Sequence, residues 1–310
     1  PPMDKTGRGI DLAAGEGGPA LVLCQAITVD GCPLVAELYC ETPREMTRTV
    51  GAENSLTRAL AQVQEELRRN RAVKKFRLGV YGEGEDGVTI AEHIVMVTLM
   101  LLRQMLPTMK AVGEKVWLPP LPVRSICGAS ITVLGTGDIG TSFARRAKAM
   151  GAKSICGVRR TIKPADPAFD RIVTLSDLDS VLPDTDILVM ALPSTGETAG
   201  VLSRERIALL PQHAVVVNVG RGTAIDQEAL AEALDAERIA GAALDVFVPE
   251  PLPQDHYLWT TKNLLITPHV AGNMSLGYTR DKDVDMFCED LENFAEGRPL
   301  AHLVNRKLGY

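Results

Sequence analysis

No stretch of this sequence is apolar for long enough to span a membrane as a helix. The longest uncharged apolar run in mid-chain, IVMVTLMLL at 94–102, is closed by His93 and Arg103. That is far short of the roughly 18 residues a span needs. The opening PPMDKTGRGI has no apolar centre of the kind a signal peptide carries. A basic excess is missing as well: 33 Lys and Arg face 39 Asp and Glu, for a net charge of −6. The balance gives no electrostatic case for nucleic acid or an anionic membrane as a partner. Cysteine pairs are absent; Cys24, Cys32, Cys40, Cys127, Cys156 and Cys288 are scattered, with no CxxC. No spacing of His, Cys and Asp suggests a metal site. Cys156, inside an apolar run, reads as a buried free thiol, and a reducing cytoplasm is the expected location. There is no internal repeat.

What is present is ordinary globular composition, 45% apolar and 23% charged over 310 residues, enough for two domains. From residue 131 short apolar runs alternate with helical patterns. The runs ITVLG (131–135), SICGV (154–158), DILVMAL (186–192), AVVVNVG (214–220), GAALDVF (241–247) and NLLIT (263–267) are rich in Val, Ile and Leu with little alternation. Strands buried on both faces read this way. Between the first two, Asp138 to Gly151 places Ile139, Phe143, Ala147 and Met150 on one helix face. Ser203 and Asp226 are candidate N-caps. Together these predict a doubly wound parallel sheet.

Before residue 93 a smaller α/β domain is expected, with a strand within 18–27, a helix over 56–70 and a strand over 76–81. Residues 89–112 read as one long helix, interrupted by Pro107, that crosses between domains; 277–296 read as a helix that carries the chain back. The expected division is 1–92 with 285–310 as the substrate domain and 93–284 as the dinucleotide-binding domain.

VLGTGDIG places Gly135, Gly137 and Gly140 in GxGxxG spacing between a strand and a helix. The first glycine permits a tight turn, the second lets the backbone approach a pyrophosphate, and the third lets helix and strand pack closely. Asp138 and Ile139 complete this candidate cofactor loop. The next strand ends in GVRRT. Where an NAD site has an acidic residue for the ribose 2′-OH, this sequence has Arg159 and Arg160, with Lys163 nearby. Guanidinium groups suit a 2′-phosphate, so NADP is expected ahead of NAD.

Three later segments put polar residues directly after strands: NVGRGTAID (218–226), ALDVFVPEPLP (243–253) and ITPHVAGN (266–273). In a doubly wound sheet, ligands bind at the carboxyl ends of the strands. Arg221, Asp245, Glu250 and His269 are therefore expected to converge on one cleft, as a carboxylate binder, an acid/base and its orienting acid.

From GVTIAEH through VLGTGDIG, NVGRG, ALDVFVPEPLP and TPHVAGN to HLVNRKLGY, about residues 88–310, the sequence resembles the D-isomer-specific 2-hydroxyacid dehydrogenase family. The resemblance implies a Rossmann-like domain beside a smaller, flavodoxin-like substrate domain. It implies Arg221, Glu250 and His269 as the catalytic set and Asp245 on the cofactor side. Pro193 and Thr198 of LPSTGET match the family's cofactor loop, and Val219, Gly220, Arg221 and His269 would border the cofactor as well. Of the histidines, only His269 has motif support; His93 reads as structural. The implied reaction moves a hydride between NAD(P) and a small 2-hydroxy or 2-oxo acid, in the reducing direction with NADPH. His269 would exchange a proton with the substrate oxygen, Glu250 would hold the imidazole, and Arg221 would grip the carboxylate. Closure between the domains would exclude water. YGEGEDG (81–87) is the nearest candidate for a substrate-carboxylate loop. A homodimer is implied by resemblance alone. The alternative is a dinucleotide-sensing, corepressor-like protein of the same fold with little or no turnover.

Overall fold

The structure is a computed structural model that describes residues 20–29, 32–40, 87–162, 166–272, 286, 288–293 and 297–301. The chain divides into two compact units, Pro1–Gly84 with Ser275–Leu303, and Glu85–Met274 with Val304–Tyr310. In the first, β1 (Ala20–Val29) pairs antiparallel with β2 (Cys32–Cys40), Ala20 opposite Cys40 and Val29 opposite Cys32. The strand expected within 18–27 is therefore there, displaced by two residues. The expected helix at 56–70, strand at 76–81 and most of the loop 81–87 lie outside the described residues, as do Lys163 and the greater part of 277–296.

The second unit holds a seven-stranded sheet whose paired strands are all parallel. Its strands are β3 (Ser130–Leu134), β4 (Ser154–Val158), β5 (Arg171–Val173), β6 (Ile187–Met190), β7 (Val215–Asn218), β8 (Gly241–Leu244) and β9 (Leu264–Ile266). They lie in the order β5-β4-β3-β6-β7-β8-β9. The chain winds outward from β3 through β4 to β5, then returns to the other side of β3. The switch point falls between β3 and β6, and ligands of such sheets bind in the crevice there.

The apolar runs explain the two-sided burial. In β6, Ile187 and Val189 point to one core while Leu188 and Met190 point to the other; Val215 and Val217 of β7 join the first and Val216 the second. One core is covered by α1 (Gly87–Leu102) and α3 (Asp138–Ala149), through Ile94, Val97, Phe143 and Ala147. The other is covered by α4 (Leu178–Val181), α5 (Arg204–Leu209) and α6 (Gln227–Asp235), through Leu178, Ile207, Leu230 and Leu234.

Several local expectations need correction. The long helix over 89–112 is two helices, α1 and α2 (Met105–Gly113), bent by 73° at a left-handed Gln104 with φ 57°. Pro107 is not the break. It sits in the first turn of α2, where its missing N–H has no intrahelical partner to lose. Among the described residues, no single helix is long and apolar enough to cross a membrane. Asp226 caps α6, accepting from the Ala229 N–H at 2.9 Å. Ser203 occupies the cap position of α5, but its hydroxyl goes to Glu205 and makes no cap bond. Met150 is exposed; the buried face of α3 turns through Gly140, Phe143, Ala144 and Ala147. The short edge strand β5 went unanticipated, because three residues carry too little periodicity to register.

Candidate active site

β3 runs out into Gly135, whose φ of 97° and closeness to the Ala191 carbonyl exclude a side chain; a Cβ would lie 2.4 Å from that oxygen. One turn into α3, a Cβ on Gly140 would stand 1.9 Å from the Gly135 carbonyl oxygen. Strand, turn and helix are therefore clamped together. Gly137 is different: a Cβ on it would meet no protein atom within 4 Å. What it faces is open space at the N-terminus of a 12-residue helix, where backbone N–H groups and the helix dipole favour a phosphate. The loop fits a dinucleotide. The Asp138 side chain is turned to the protein. Its carboxylate accepts from the Gly87 N–H at 2.8 Å, bracing α1 against α3, and a carboxylate in any case repels a phosphate. Ile139 is half-buried against the α1 side of the core.

Beyond β4 lies a pocket of about 630 Å³ whose lining includes Arg160, Thr174, Ser176, Glu197 and Arg206. Arg160 faces it. Arg159 is not among its lining residues, and its backbone N–H donates to the Val173 carbonyl at 3.1 Å. Arg206, which no sequence motif marked, is aimed by Asp179 at 2.6 Å and the Val201 carbonyl at 2.8 Å.

After β6 the chain turns through Pro193 to Thr198. The Thr198 hydroxyl donates to the Pro193 carbonyl at 2.6 Å and accepts from the Thr195 N–H at 2.9 Å. Its polar group therefore shapes this loop from within. After β7, the buried Asn218 holds the next turn at two points. Its Oδ1 accepts from the Gly220 N–H at 3.0 Å, and its Nδ2 donates to the Arg221 carbonyl at 3.0 Å. Val219 is buried, and Gly220 passes Leu192 closely. Gly222 presses on the Phe247 backbone, where a Cβ would lie 2.3 Å from the carbonyl carbon. Only glycine allows the Arg221 turn to come this close to the loop that follows β8.

That loop carries Glu250. One carboxylate oxygen accepts from the Phe247 N–H at 2.7 Å; the other meets His269 Nδ1 at 2.7 Å. Burial pushes the Glu250 carboxyl upward. The hydrogen bonds from His269 and Phe247 and the nearby charges of His269 and Arg221 outweigh it and hold the group below its usual range. With Nδ1 turned to a carboxylate, Nε2 of His269 is left to exchange a proton. The side chain is 53% exposed. His269 has a φ of 55°, a left-handed backbone that a branched or bulky residue adopts only when its surroundings impose it. The imposing group is Asp245, which is 2% exposed. Its carboxylate accepts from Thr267 Oγ1 at 2.6 Å, Val270 N at 2.9 Å and Ala271 N at 3.0 Å, pinning both sides of His269.

The other described histidines lie elsewhere or act indirectly. His213 pairs with Asp186 at 2.5 Å. His256 Nδ1 accepts from the Leu258 N–H at 3.3 Å, and His93 Nε2 lies 3.2 Å from Thr267 Oγ1. Among the described residues no group of His, Cys, Asp and Glu could hold a metal ion.

The chain is similar to proteins of known family. A family model described as D-isomer specific 2-hydroxyacid dehydrogenase, NAD binding domain, matches residues 95–271. A glyoxylate/hydroxypyruvate reductase A of Salmonella newport is 30% identical over 225 residues, 72% of this chain and 70% of its own. A D-isomer specific 2-hydroxyacid dehydrogenase from Xanthobacter autotrophicus, solved with NADPH and MES, is 32% identical. It superimposes with a TM-score of 0.64, covering 73% of this chain and 90% of that one. An NADPH-dependent glyoxylate/hydroxypyruvate reductase from Sinorhizobium meliloti, solved with NADP and sulfate, is 27% identical. Its TM-score is 0.65, over 76% of this chain and 72% of that one.

Proposed function

This chain belongs to the D-isomer-specific 2-hydroxyacid dehydrogenase family, and we propose that it reduces small 2-oxo acids of the glyoxylate and hydroxypyruvate class with NADPH. It is an NAD(P)-dependent oxidoreductase on a Rossmann-like domain. The observation that carries the reading is the 2.7 Å contact of His269 Nδ1 with Glu250, with the Arg221 charge close enough to act on that carboxylate. A lone histidine needs no such partner. An acid/base fixed in one orientation does.

The nicotinamide, when bound, supplies or accepts the hydride. Arg221, turned by Asn218 and by the close pass of Gly222, holds the substrate carboxylate through its planar fork and polarises the adjacent carbonyl. His269, held protonated beside the Glu250 carboxylate, gives its Nε2 proton to the 2-oxo oxygen and is left as neutral imidazole, still held by Glu250 through Nδ1. Gly135, Gly137 and Gly140 form the turn that admits the pyrophosphate. Pro193, Thr198, Val219 and Gly220 wall the crevice beside it, and Arg160, with Arg206 beyond the expected pair, reads the 2′-phosphate. Residues 1–92 with 285–310 are assigned to the substrate side and 93–284 to the dinucleotide side. A discontinuous first unit agrees with this assignment in outline, but its boundaries fall at Gly84, Met274 and Leu303, so 85–92 and 304–310 group with the dinucleotide side. The free thiols of Cys127, Cys156 and Cys288 suit a reducing cytoplasm. Exposed apolar side chains on α2 and the segment after it suit a homodimer.

The test is NADPH oxidation with a panel of 2-oxo acids, run on the parent and on His269→Ala. Turnover in the parent and its near-complete loss in the variant are expected. Equal rates in both would end this reading.

A further inference from the structure

His93 lies on α1, 174 residues from the loop that carries His269, and yet touches that loop's anchor. Its side chain is 11% exposed. Nε2 stands 3.2 Å from Thr267 Oγ1 and 3.9 Å from the nearer oxygen of Asp245. The direction of these bonds can be worked out. A carboxylate only accepts, so the single hydroxyl proton of Thr267 goes to Asp245 across 2.6 Å. Thr267 Oγ1 then has lone pairs left, and His93 must donate to it from Nε2–H. The reverse arrangement, with Thr267 donating to a bare Nε2, would leave two acceptors facing each other across the shortest bond in the group.

We propose that His93 is a positioning residue for the acid/base: its Nε2–H orients the Thr267 hydroxyl onto Asp245, and the anchored Asp245 holds the 267–271 loop that presents His269. This rests on the reading of His269 as the proton donor. The loop is short and its anchors are few. Thr267 binds through its side chain, Val270 and Ala271 through their N–H groups, all on one buried carboxylate, while the Thr267 N–H donates to the Leu244 carbonyl at 3.0 Å. His269 sits between them in the left-handed region, its own N–H donating to the Thr267 carbonyl at 3.0 Å. A strained residue keeps its backbone only while both flanks are held, and His93 governs the side-chain anchor of the Thr267 flank. Burial pushes the His93 imidazole below its usual range, opposed by the Asp245 charge. A neutral ring with one N–H fits the assigned role. His93 therefore joins the first helix of the nucleotide-binding unit to the catalytic loop, so that both move as one piece.

Four variants of the full chain test this: His93→Phe, His93→Gln, His93→Asn and Thr267→Val, together with the His93→Phe, Thr267→Val double. Gln carries an N–H at the distance of Nε2 and Asn does not reach it. His93→Phe should lower kcat about tenfold, the effect of one lost positioning bond, with the NADPH Kd within about threefold. Gln should restore most of kcat and Asn should not. Because His93 acts through Thr267, the double variant should be no slower than Thr267→Val alone. Multiplying defects, or parent-like kcat in His93→Phe, would overturn the proposal. Two readouts do not depend on turnover. Nitrogen NMR of the imidazoles should show His93 as the Nε2–H tautomer, and hydrogen exchange at Val270 and Ala271 should speed up in His93→Phe. An Nδ1–H tautomer or unchanged exchange also overturns it. If the parent shows no turnover, or His269→Ala matches it, the enzymatic reading fails by itself, while tautomer and exchange still decide what His93 does.

Discussion

His269 is held at a positive φ, with one ring nitrogen committed to Glu250, so under the proposed reaction its substitution should separate chemistry from binding. His269→Ala should lower turnover by about 10²–10⁴-fold, the contribution of a general acid/base, with cofactor affinity within a few-fold by fluorescence titration. Arg221→Lys keeps the charge and loses the planar fork, and kcat/KM for 2-oxo acids should fall sharply; a Lys variant equal to the parent would refute the carboxylate clamp. The Glu250 carboxyl is held below its usual value of 4.5. For a depressed carboxylate the sign is clear: its contribution is complete above the unfolded pKa and disappears only as pH falls through the lower folded one. Loss of the His269–Glu250 pairing, followed by the histidine's NMR shifts, should therefore begin only below about pH 4.5 in the parent. That Arg221, Glu250 and His269 come together was legible because each follows a strand in a recognisable motif. Asn218, Thr267 and His93 were not. Their roles come from hydrogen bonds made across the fold, and an Asn inside an apolar strand or a His at a helix start carries no pattern of its own.

Elements were easier to read than caps or boundaries, and for a physical reason. Strands buried on both faces must be continuous in Val, Ile and Leu, and the six runs from residue 131 onward all became strands of the sheet. The 73° break between α1 and α2 was misplaced because Pro107 is the visible helix breaker, whereas the chain turns at Gln104, a residue with no such mark. At the phosphate loop, packing and cofactor binding can be pulled apart. Gly140→Ala forces a Cβ against the Gly135 carbonyl, so the melting temperature should drop and NADPH binding should weaken with it. Gly137→Ala meets no protein atom; it should leave the melting temperature near the parent value and still weaken NADPH binding, measured by calorimetry. If Gly137→Ala binds NADPH normally, the pyrophosphate does not lie against that loop. The proposed 2′-phosphate site lies one strand over, at the pocket beyond β4 that Arg160 lines. Hydrogen bonds to charged groups contribute roughly 1.5–3 kcal/mol, trimmed toward the low end by solvent. A preference of about tenfold or more for NADPH over NADH in kcat/KM is expected. Arg160→Ala should lower it more than Arg159→Ala, because only Arg160 lines the pocket. Sequence alone did not separate the two adjacent arginines.

For the whole molecule, the feature that composition could not reveal is where apolar side chains are left in water. On α2 and the segment that follows, Met109, Val112, Val116, Trp117 and Val123 are all exposed, Trp117 at 97%. Single exposed apolar residues are ordinary, but a run of them marks an interaction surface. Tryptophan is the residue type most enriched among those that dominate association energy. In a two-fold dimer each such residue counts twice, once from each copy. Trp117 contributes almost nothing to the fold of its own chain, so its replacement tests association without disturbing the core. Trp117→Glu should keep the parent's melting profile at low concentration while raising the dimer Kd by about 30-fold or more, from a loss of about 2 kcal/mol or more. Light scattering after size exclusion, across a dilution series, reads this directly. The parent should run at twice the chain mass and the variant should fall to the monomer at concentrations where the parent does not. A variant that stays dimeric at every dilution would place the interface elsewhere, and a parent that is monomeric throughout would remove the homodimer altogether.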